Sequence, residues 1–162
     1  MKSIILFVTL LTTFASYSQY LGVTQDARLL VFGDNKGNGS LTPNINIRYT
    51  QKIVSDEYLN FFASLEYEYA DLNEPYNRIA FGFGLKFDRI IDKFEFNIIY
   101  TVNRTYRPFD NFSNWDFTGQ VVYNLNNMYG IIAELQQTKR NDINRQPFIY
   151  SGKIGIRIKI FK

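Results

Sequence analysis

The chain has 162 residues, 18 basic and 15 acidic, and a net charge of +3. Its length leaves room for one domain, and no block of like charge stands out that would indicate nucleic-acid binding. It contains no cysteine and no histidine, which excludes a disulfide framework and imidazole bases and removes the usual ligands of zinc and copper. We therefore expect no catalytic residues, no cofactor-binding residues, no metal site and no nucleic-acid partner.

The first 18 residues form a predicted signal peptide. Lys2 supplies a positive charge, residues 4–14 form a short apolar run, and Ser16-Tyr17-Ser18 provides a small-x-small cleavage site. The apolar run is shorter than the ~20 residues that a spanning helix needs, so we expect cleavage near Ser18 and export of the remainder. A leader that closes on small residues followed by Gln19 resembles those of the Bacteroidota.

From residue 20 onwards, large apolar side chains occur at every second position in about eight successive stretches. Side chains alternate between the two faces of a strand, so this period predicts β-strands. The last stretch is the plainest, with isoleucine at 154, 156, 158 and 160 and charges at 153, 157 and 159. The predicted strands cover approximately residues 20–32, 43–53, 58–70, 78–88, 93–104, 115–125, 128–139 and 148–162.

Two further expectations concern how these strands connect. The short break between strands four and five predicts a register that pairs Phe87 with Phe94 and Lys86 with Glu95. The breaks after strands one, three, five and seven are the longer ones, at about residues 33–42, 71–77, 105–114 and 140–147. Long loops at one end and short turns at the other are typical of transmembrane barrels.

Alternation alone leaves open whether the apolar face lies inside, as in a lipocalin-like barrel, or outside. The apolar positions carry more Phe and Tyr than the narrow interior of an eight-stranded barrel can hold, so we predict that they face outwards. The charges then face inwards, where they must pair to be tolerated, and a salt-bridge network is expected to plug the barrel. The predicted lumen charges are Arg28, Arg48, Glu66, Glu68, Lys86, Glu95, Asp116, Glu134, Lys153 and Arg157.

A signal peptide, eight amphipathic strands, alternating loop lengths and a closing amphipathic strand make the chain resemble the small OmpA-like and OmpX-like outer-membrane barrels. The resemblance implies an all-β, eight-stranded antiparallel up-and-down transmembrane barrel over residues 19–162. It also implies an outer-membrane location, contact with lipid and lipopolysaccharide, and a monomeric state. Such barrels usually end in an aromatic residue that the barrel-insertion machinery reads, and Phe161, which precedes Lys162, is the candidate insertion signal.

Residues 105–114 form the candidate contact region for a surface partner, whose identity is unknown. This stretch mixes Tyr, Phe and Arg, which dominate interface hot spots. The candidate contacts are Tyr106, Arg107, Phe109 and Phe112.

The leading hypothesis is a non-enzymatic outer-membrane barrel with a structural or surface-interaction role. The first alternative is a porin-like or lipocalin-like barrel that binds or transports a small ligand. The second is a lipid-modifying enzyme. The known lipid-modifying barrels resemble one another in using a catalytic histidine, which this chain lacks.

Overall fold

The computed structural model describes residues 19–34, 37–140 and 148–161. The predicted signal peptide lies outside these residues, as does Lys162. The elements in chain order are β1 (Gln19–Asp26), α1 (Ala27–Val31), β2 (Asn44–Ser55), β3 (Leu59–Ala70), β4 (Tyr76–Ile91), β5 (Phe94–Tyr106), β6 (Asn111–Asn124), β7 (Tyr129–Lys139) and β8 (Phe148–Phe161).

Each strand pairs antiparallel with its neighbours in sequence, and β1 pairs with β8 to close the barrel. The predicted fold, an eight-stranded antiparallel up-and-down β-barrel, is confirmed. None of the helical segments in the described residues is long and apolar enough to cross a membrane. We call the end of the barrel that carries α1 the upper end, and the opposite end the lower end.

Burial follows the alternation along the strands. On β3, Glu66 and Glu68 are 2% and 4% exposed, whereas Tyr67 between them is 44% exposed. On β8, Arg157 is 8% exposed and the adjacent Ile156 is 54% exposed. Polar side chains therefore fill the interior, and apolar side chains cover the outer surface, as the side-chain volumes predicted.

The first strand is shorter than predicted, and this removes Arg28 from the lumen. The strand ends at Asp26, whose side chain accepts hydrogen bonds from the backbone N–H groups of Arg28 and Leu29 at 2.9 and 3.1 Å. This N-cap starts α1, on which Arg28 is exposed and Leu29 is buried. The prediction that Arg28 is a lumen charge is wrong, because a single helical turn replaces the last part of the expected strand.

The predicted register between strands four and five is shifted by two residues. Phe87 pairs with Phe96, not Phe94, and Lys86 pairs with Asn97. The ladder is interrupted between Phe87 and Ile91, which pairs with Phe94 beside the turn. A two-residue slip keeps every side chain on its predicted face, so the inside and outside assignments are unaffected.

The candidate contact loop is also shorter than predicted. Because β5 extends to Tyr106 and β6 begins at Asn111, the connection consists of residues 107–110 and is closed by a hydrogen bond from Arg107 N to Asp110 O at 2.9 Å. The connection between β6 and β7, at residues 125–128, has the same length. Among the described connections, those at the upper end are therefore not all longer than those at the lower end.

Close contact between β1 and β8 predicts a strong effect at Gly155. A Cβ atom there would lie 1.9 Å from Val23 O and 2.6 Å from Thr24 Cα, whereas one at Gly119 would have nothing within 4 Å. We expect Gly155→Ala to reduce stability by about 1–3 kcal/mol, because the seam must separate. Gly119→Ala should change stability by less than about 0.5 kcal/mol. Urea titration of the folded barrel, followed by gel mobility without boiling, measures both, and equal midpoints would contradict this account of the seam.

Candidate functional site

The upper half of the interior is organised around Arg78 of β4. Its guanidinium lies 2.7 Å from a Glu68 carboxylate oxygen and 3.3 Å from one of Glu66, and it also pairs with Asp116 across the barrel. The side chain of Arg78 is 6% exposed, and those of its three partners are no more than 5% exposed. One buried cation thus joins carboxylates from β3 and β6.

Further pairs extend this cluster around the barrel. Lys153 Nζ lies 2.7 Å from Glu68 Oε2, and Arg48 bridges Glu66 at 2.7 Å and Glu134 at 2.5 Å. We call the connected set the upper network, and it contains three cations and four carboxylates from six strands. Its members are Arg48, Glu66, Glu68, Arg78, Asp116, Glu134 and Lys153.

Neutral polar side chains also donate hydrogen bonds to the carboxylates of the upper network. Tyr76 donates its hydroxyl to Glu68 at 2.6 Å, Asn103 donates to Asp116 at 2.7 Å, and Gln120 donates to Glu134 at 2.6 Å. Buried ion pairs are tolerated only when additional hydrogen bonds satisfy the groups that remain. These bonds therefore fix the carboxylates in place as well as compensating their desolvation.

A second, smaller set of charges lies at the lower end, and we call it the lower network. Arg157 binds Glu95 through both terminal nitrogens, and Lys86 Nζ lies 3.1 Å from Glu95 and 3.2 Å from Asp88. The Tyr20 ring faces both cations, 4.4 Å from the Arg157 guanidinium and 5.0 Å from Lys86 Nζ. Two cations balance two carboxylates in this network.

An apolar layer separates the two networks. Phe62, Ile99, Val122 and Ile132 face inwards and are at most 4% exposed. The first three lie along their strands between members or hydrogen-bond partners of the two networks. Ile132 pairs with Gly155, which lies between Lys153 and Arg157 on β8. A Cβ atom on Gly84 would lie 2.3 Å from the Phe62 ring, so this glycine makes room for the ring. The cavity left beside this layer holds about 30 Å³, close to the volume of one water molecule.

The structure brings nine of the ten predicted lumen charges into the two networks, and Arg28 is the exception. Arg78 and Asp88 also belong to the networks and were not predicted. Arg78 shares the even-numbered face of β4 with Lys86, so alternation could have identified it. The sequence prediction began strand four at Arg78 and treated that residue as a boundary, whereas β4 begins two residues earlier.

The apolar layer was also missed, although the sequence contains a signal for it. Each of its members is the second residue of an apolar doublet that breaks the strict alternation. The doublets are Phe61-Phe62, Ile98-Ile99, Val121-Val122 and Ile131-Ile132. In each doublet the first side chain is exposed and the second is buried. Such a doublet in a barrel strand places one large apolar side chain inside.

The candidate contact residues lie at the upper end but in different settings. Phe109, in the turn, is 102% exposed, and Tyr106 is 39% exposed on the outer face of β5. The guanidinium groups of Arg107 and Arg140 lie 5.1 and 4.6 Å from the centre of the Phe112 ring. Arg107 also pairs with Glu74 of the β3–β4 loop at 3.4 Å. Of the four candidate contact residues, only Phe109 has a fully exposed side chain.

The candidate insertion signal, Phe161, ends β8, and its backbone pairs with Gln19 of β1. Its side chain lies outside the described part of the chain, and its role in insertion stays a prediction. Among the described residues, no group of three or more acidic side chains is arranged to hold a metal ion.

A closed antiparallel barrel of eight strands with a polar interior and an apolar outer surface defines the class of small eight-stranded β-barrels. Three of the solved structures similar to the chain are structures of an outer-membrane protein or a surface protein. Ail of Yersinia pestis in a phospholipid nanodisc has a TM-score of 0.58 and 9% identity, covering 89% of this chain and 99% of Ail. Neisserial surface protein A has a TM-score of 0.53 and 12% identity, covering 89% of this chain and 96% of that protein.

The crystal structure of Ail has a TM-score of 0.51 and 10% identity, covering 88% of this chain and 95% of that chain. Identities this low show a shared fold. No family model matches the chain, and the search of curated proteins gave no match. The expectation of a Bacteroidota source stays a prediction.

Proposed function

We propose that the chain is a non-enzymatic outer-membrane barrel with a structural or surface-interaction role, exported through a cleaved signal peptide. The observation that carries the proposal is the division of the barrel wall into an apolar outer face and an inner face of paired charges. Leu65, Phe81 and Ile156 are each more than half exposed, and Leu65 lies between the buried polar residues Ser64 and Glu66. Water would disfavour such a surface, whereas the hydrocarbon of a bilayer matches it.

Partner contacts follow from this placement. The outer face contacts lipid, the upper end contacts lipopolysaccharide, and the exposed Phe109 offers an anchor for a surface partner. The barrel-insertion machinery reads the C-terminal strand, including Phe161, and the closed barrel functions as a monomer.

Cell fractionation with gel mobility before and after boiling tests the location. A protein recovered in the soluble periplasmic fraction, with the same mobility in both samples, would contradict it.

The packing of the interior favours a closed barrel and disfavours an open channel. Two ion-pair networks and the apolar layer leave about 30 Å³ in the middle of the barrel. We therefore expect no steady conductance when the purified protein is inserted into planar lipid bilayers at moderate voltage, because an ion would have to break buried pairs or cross the apolar layer. Reproducible single-channel steps in the parent protein would overturn the plug and favour the transport alternative.

A further inference from the structure

We propose that one side of the upper outer wall, formed by β5, β6 and β7, binds the phosphate group of an anionic lipid in the membrane leaflet at that end. The inference rests on the proposed function, because it requires the outer face to lie in a bilayer. It adds which part of the wall binds a lipid and which chemical group of the lipid is recognised.

The outward-facing strand positions in the upper half of the barrel carry few charges. Among the described residues there, only Arg104 and Lys139 are charged, and both are cations. Arg104 is exposed two residues before the end of β5, and its guanidinium lies 5.7 Å from the centre of the Tyr106 ring. Lys139 is the last residue of β7 and is half-buried. No described carboxylate forms an ion pair with either side chain, so the local charge of this face is positive.

Strand pairing brings the two cations to either side of Trp115 on β6. Lys139 is the direct partner of Trp115, and Arg104 is the direct partner of Ser113, two positions along the same face. Two strand spacings and a two-residue offset place the backbones of the two cations about 12 Å apart. Both side chains are long and flexible, so their charged groups can meet a phosphate that lies between them, over Ser113 and Trp115.

Aromatic rings around the two cations indicate the depth of the site in a bilayer. The Trp115 ring lies 6.1 Å from the rings of Tyr100 and Phe148, and Lys139 Nζ lies 5.8 Å from the centre of the Trp115 ring. Tryptophan and tyrosine concentrate at the level of lipid headgroups. The cations therefore lie at the depth of the lipid phosphates, where arginine and lysine form charge-assisted hydrogen bonds with phosphate oxygens.

The opposite side of the wall has no comparable pair of cations among the described residues. Near the upper ends of β1, β2 and β3, the outward side chains are those of Gln25, Ile45 and Tyr69, which carry no charge. The preference for an anionic phosphate should therefore belong to the side formed by β5, β6 and β7.

Trp115 is the only tryptophan in the chain, so its fluorescence reports on the lipid beside the site. The full chain is reconstituted in phosphatidylcholine vesicles that contain a small fraction of phosphatidic acid in both leaflets. Bromine is placed near the glycerol end of the acyl chains, either on the phosphatidic acid or on the same fraction of phosphatidylcholine. We expect quenching that corresponds to an enrichment of phosphatidic acid beside Trp115 by about tenfold, which high salt reduces. A brominated fatty acid, with a carboxylate in place of the phosphate, should be enriched less.

Two variants and a matched control locate the site. Arg104→Gln and Lys139→Gln should each lower the enrichment of phosphatidic acid by about threefold, and the double variant should abolish it. Arg28→Gln removes an exposed cation from α1, outside the barrel wall, and should leave the enrichment unchanged. Each enrichment is a ratio measured within one variant, so a change in the emission of Trp115 itself does not alter it.

Equal quenching by the two brominated phospholipids, an equal enrichment of the fatty acid, or an enrichment that persists in the double variant would overturn the site. Absence of quenching by either phospholipid would instead contradict the proposed function, and the site with it, because Trp115 would then not meet lipid. Gel mobility without boiling, measured on each sample, reports whether each variant has folded.

Discussion

Replacing Arg78 by leucine should destabilise the barrel by about 3–5 kcal/mol, because the change leaves a buried carboxylate uncompensated. Lys153 still neutralises Glu68, and Arg48 still lies against Glu66. Asp116, which is 0% exposed, keeps only hydrogen bonds from neutral groups such as Asn103. Urea titration of the protein folded into phospholipid vesicles measures the loss.

A second variant and an outer-face control make this prediction specific. The upper network holds three cations and four carboxylates, a net charge of −1, which Arg78→Leu alone changes to −2. Adding Asp116→Asn restores −1 and should recover part of the lost stability. Arg104→Leu removes the same cation from the outer face, where it is exposed, and should cost less than about 0.5 kcal/mol. Equal losses in Arg78→Leu and Arg104→Leu would refute the role of Arg78 as the centre of the network.

Replacing Phe83 by lysine should destabilise the membrane-inserted barrel by about 2–4 kcal/mol, the cost of a lysine on the lipid face near the middle of a bilayer. Phe83 is 44% exposed and pairs with Tyr100, the central residue of β5. Its ring also stacks on Phe61 at 5.7 Å, and the substitution loses this contact. Urea titration in vesicles of defined lipid composition measures the effect.

The control for this change is Phe109→Lys, which makes the same substitution at a turn side chain that is 102% exposed. We expect a change of less than about 0.5 kcal/mol there, because lysine remains in water. If the outer face met water and not lipid, Phe83→Lys would lose little beyond its ring contact. Near-identical stabilities of the two variants would therefore argue against a membrane environment.

The strand count and the facing of the side chains could be predicted from the sequence because burial in a barrel wall depends only on parity. Glu66, Glu68 and Arg157 were placed inside on this basis, without knowledge of register. The prediction of facing also holds despite the two-residue shift in register between β4 and β5, because such a shift leaves every side chain on the same face of its strand. It fails at Arg28, because a stretch of five residues is too short for alternation to distinguish a helical turn from a strand.

What the sequence could not provide is the pairing of the charges. Arg78 reaches Asp116, 38 positions away, because both strands point these side chains into one narrow interior. Strand tilt and register decide which inward residues share a level, and hydrophobic alternation carries no information on either. A cavity of about 340 Å³ at the upper end has the same origin, since Asn44, Arg107 and Gln136, which line it, come from distant parts of the chain.

The most direct test of the central claim, that the apolar face meets lipid, uses tryptophan fluorescence in vesicles made with brominated lipids. Trp115 is the only tryptophan in the chain, so Phe83→Trp combined with Trp115→Phe gives a single reporter at the middle of the outer face. The expected result is strong quenching that is greatest when bromine lies deep in the acyl chains. Fluorescence that brominated lipids leave unchanged, and that aqueous acrylamide quenches instead, would contradict the account.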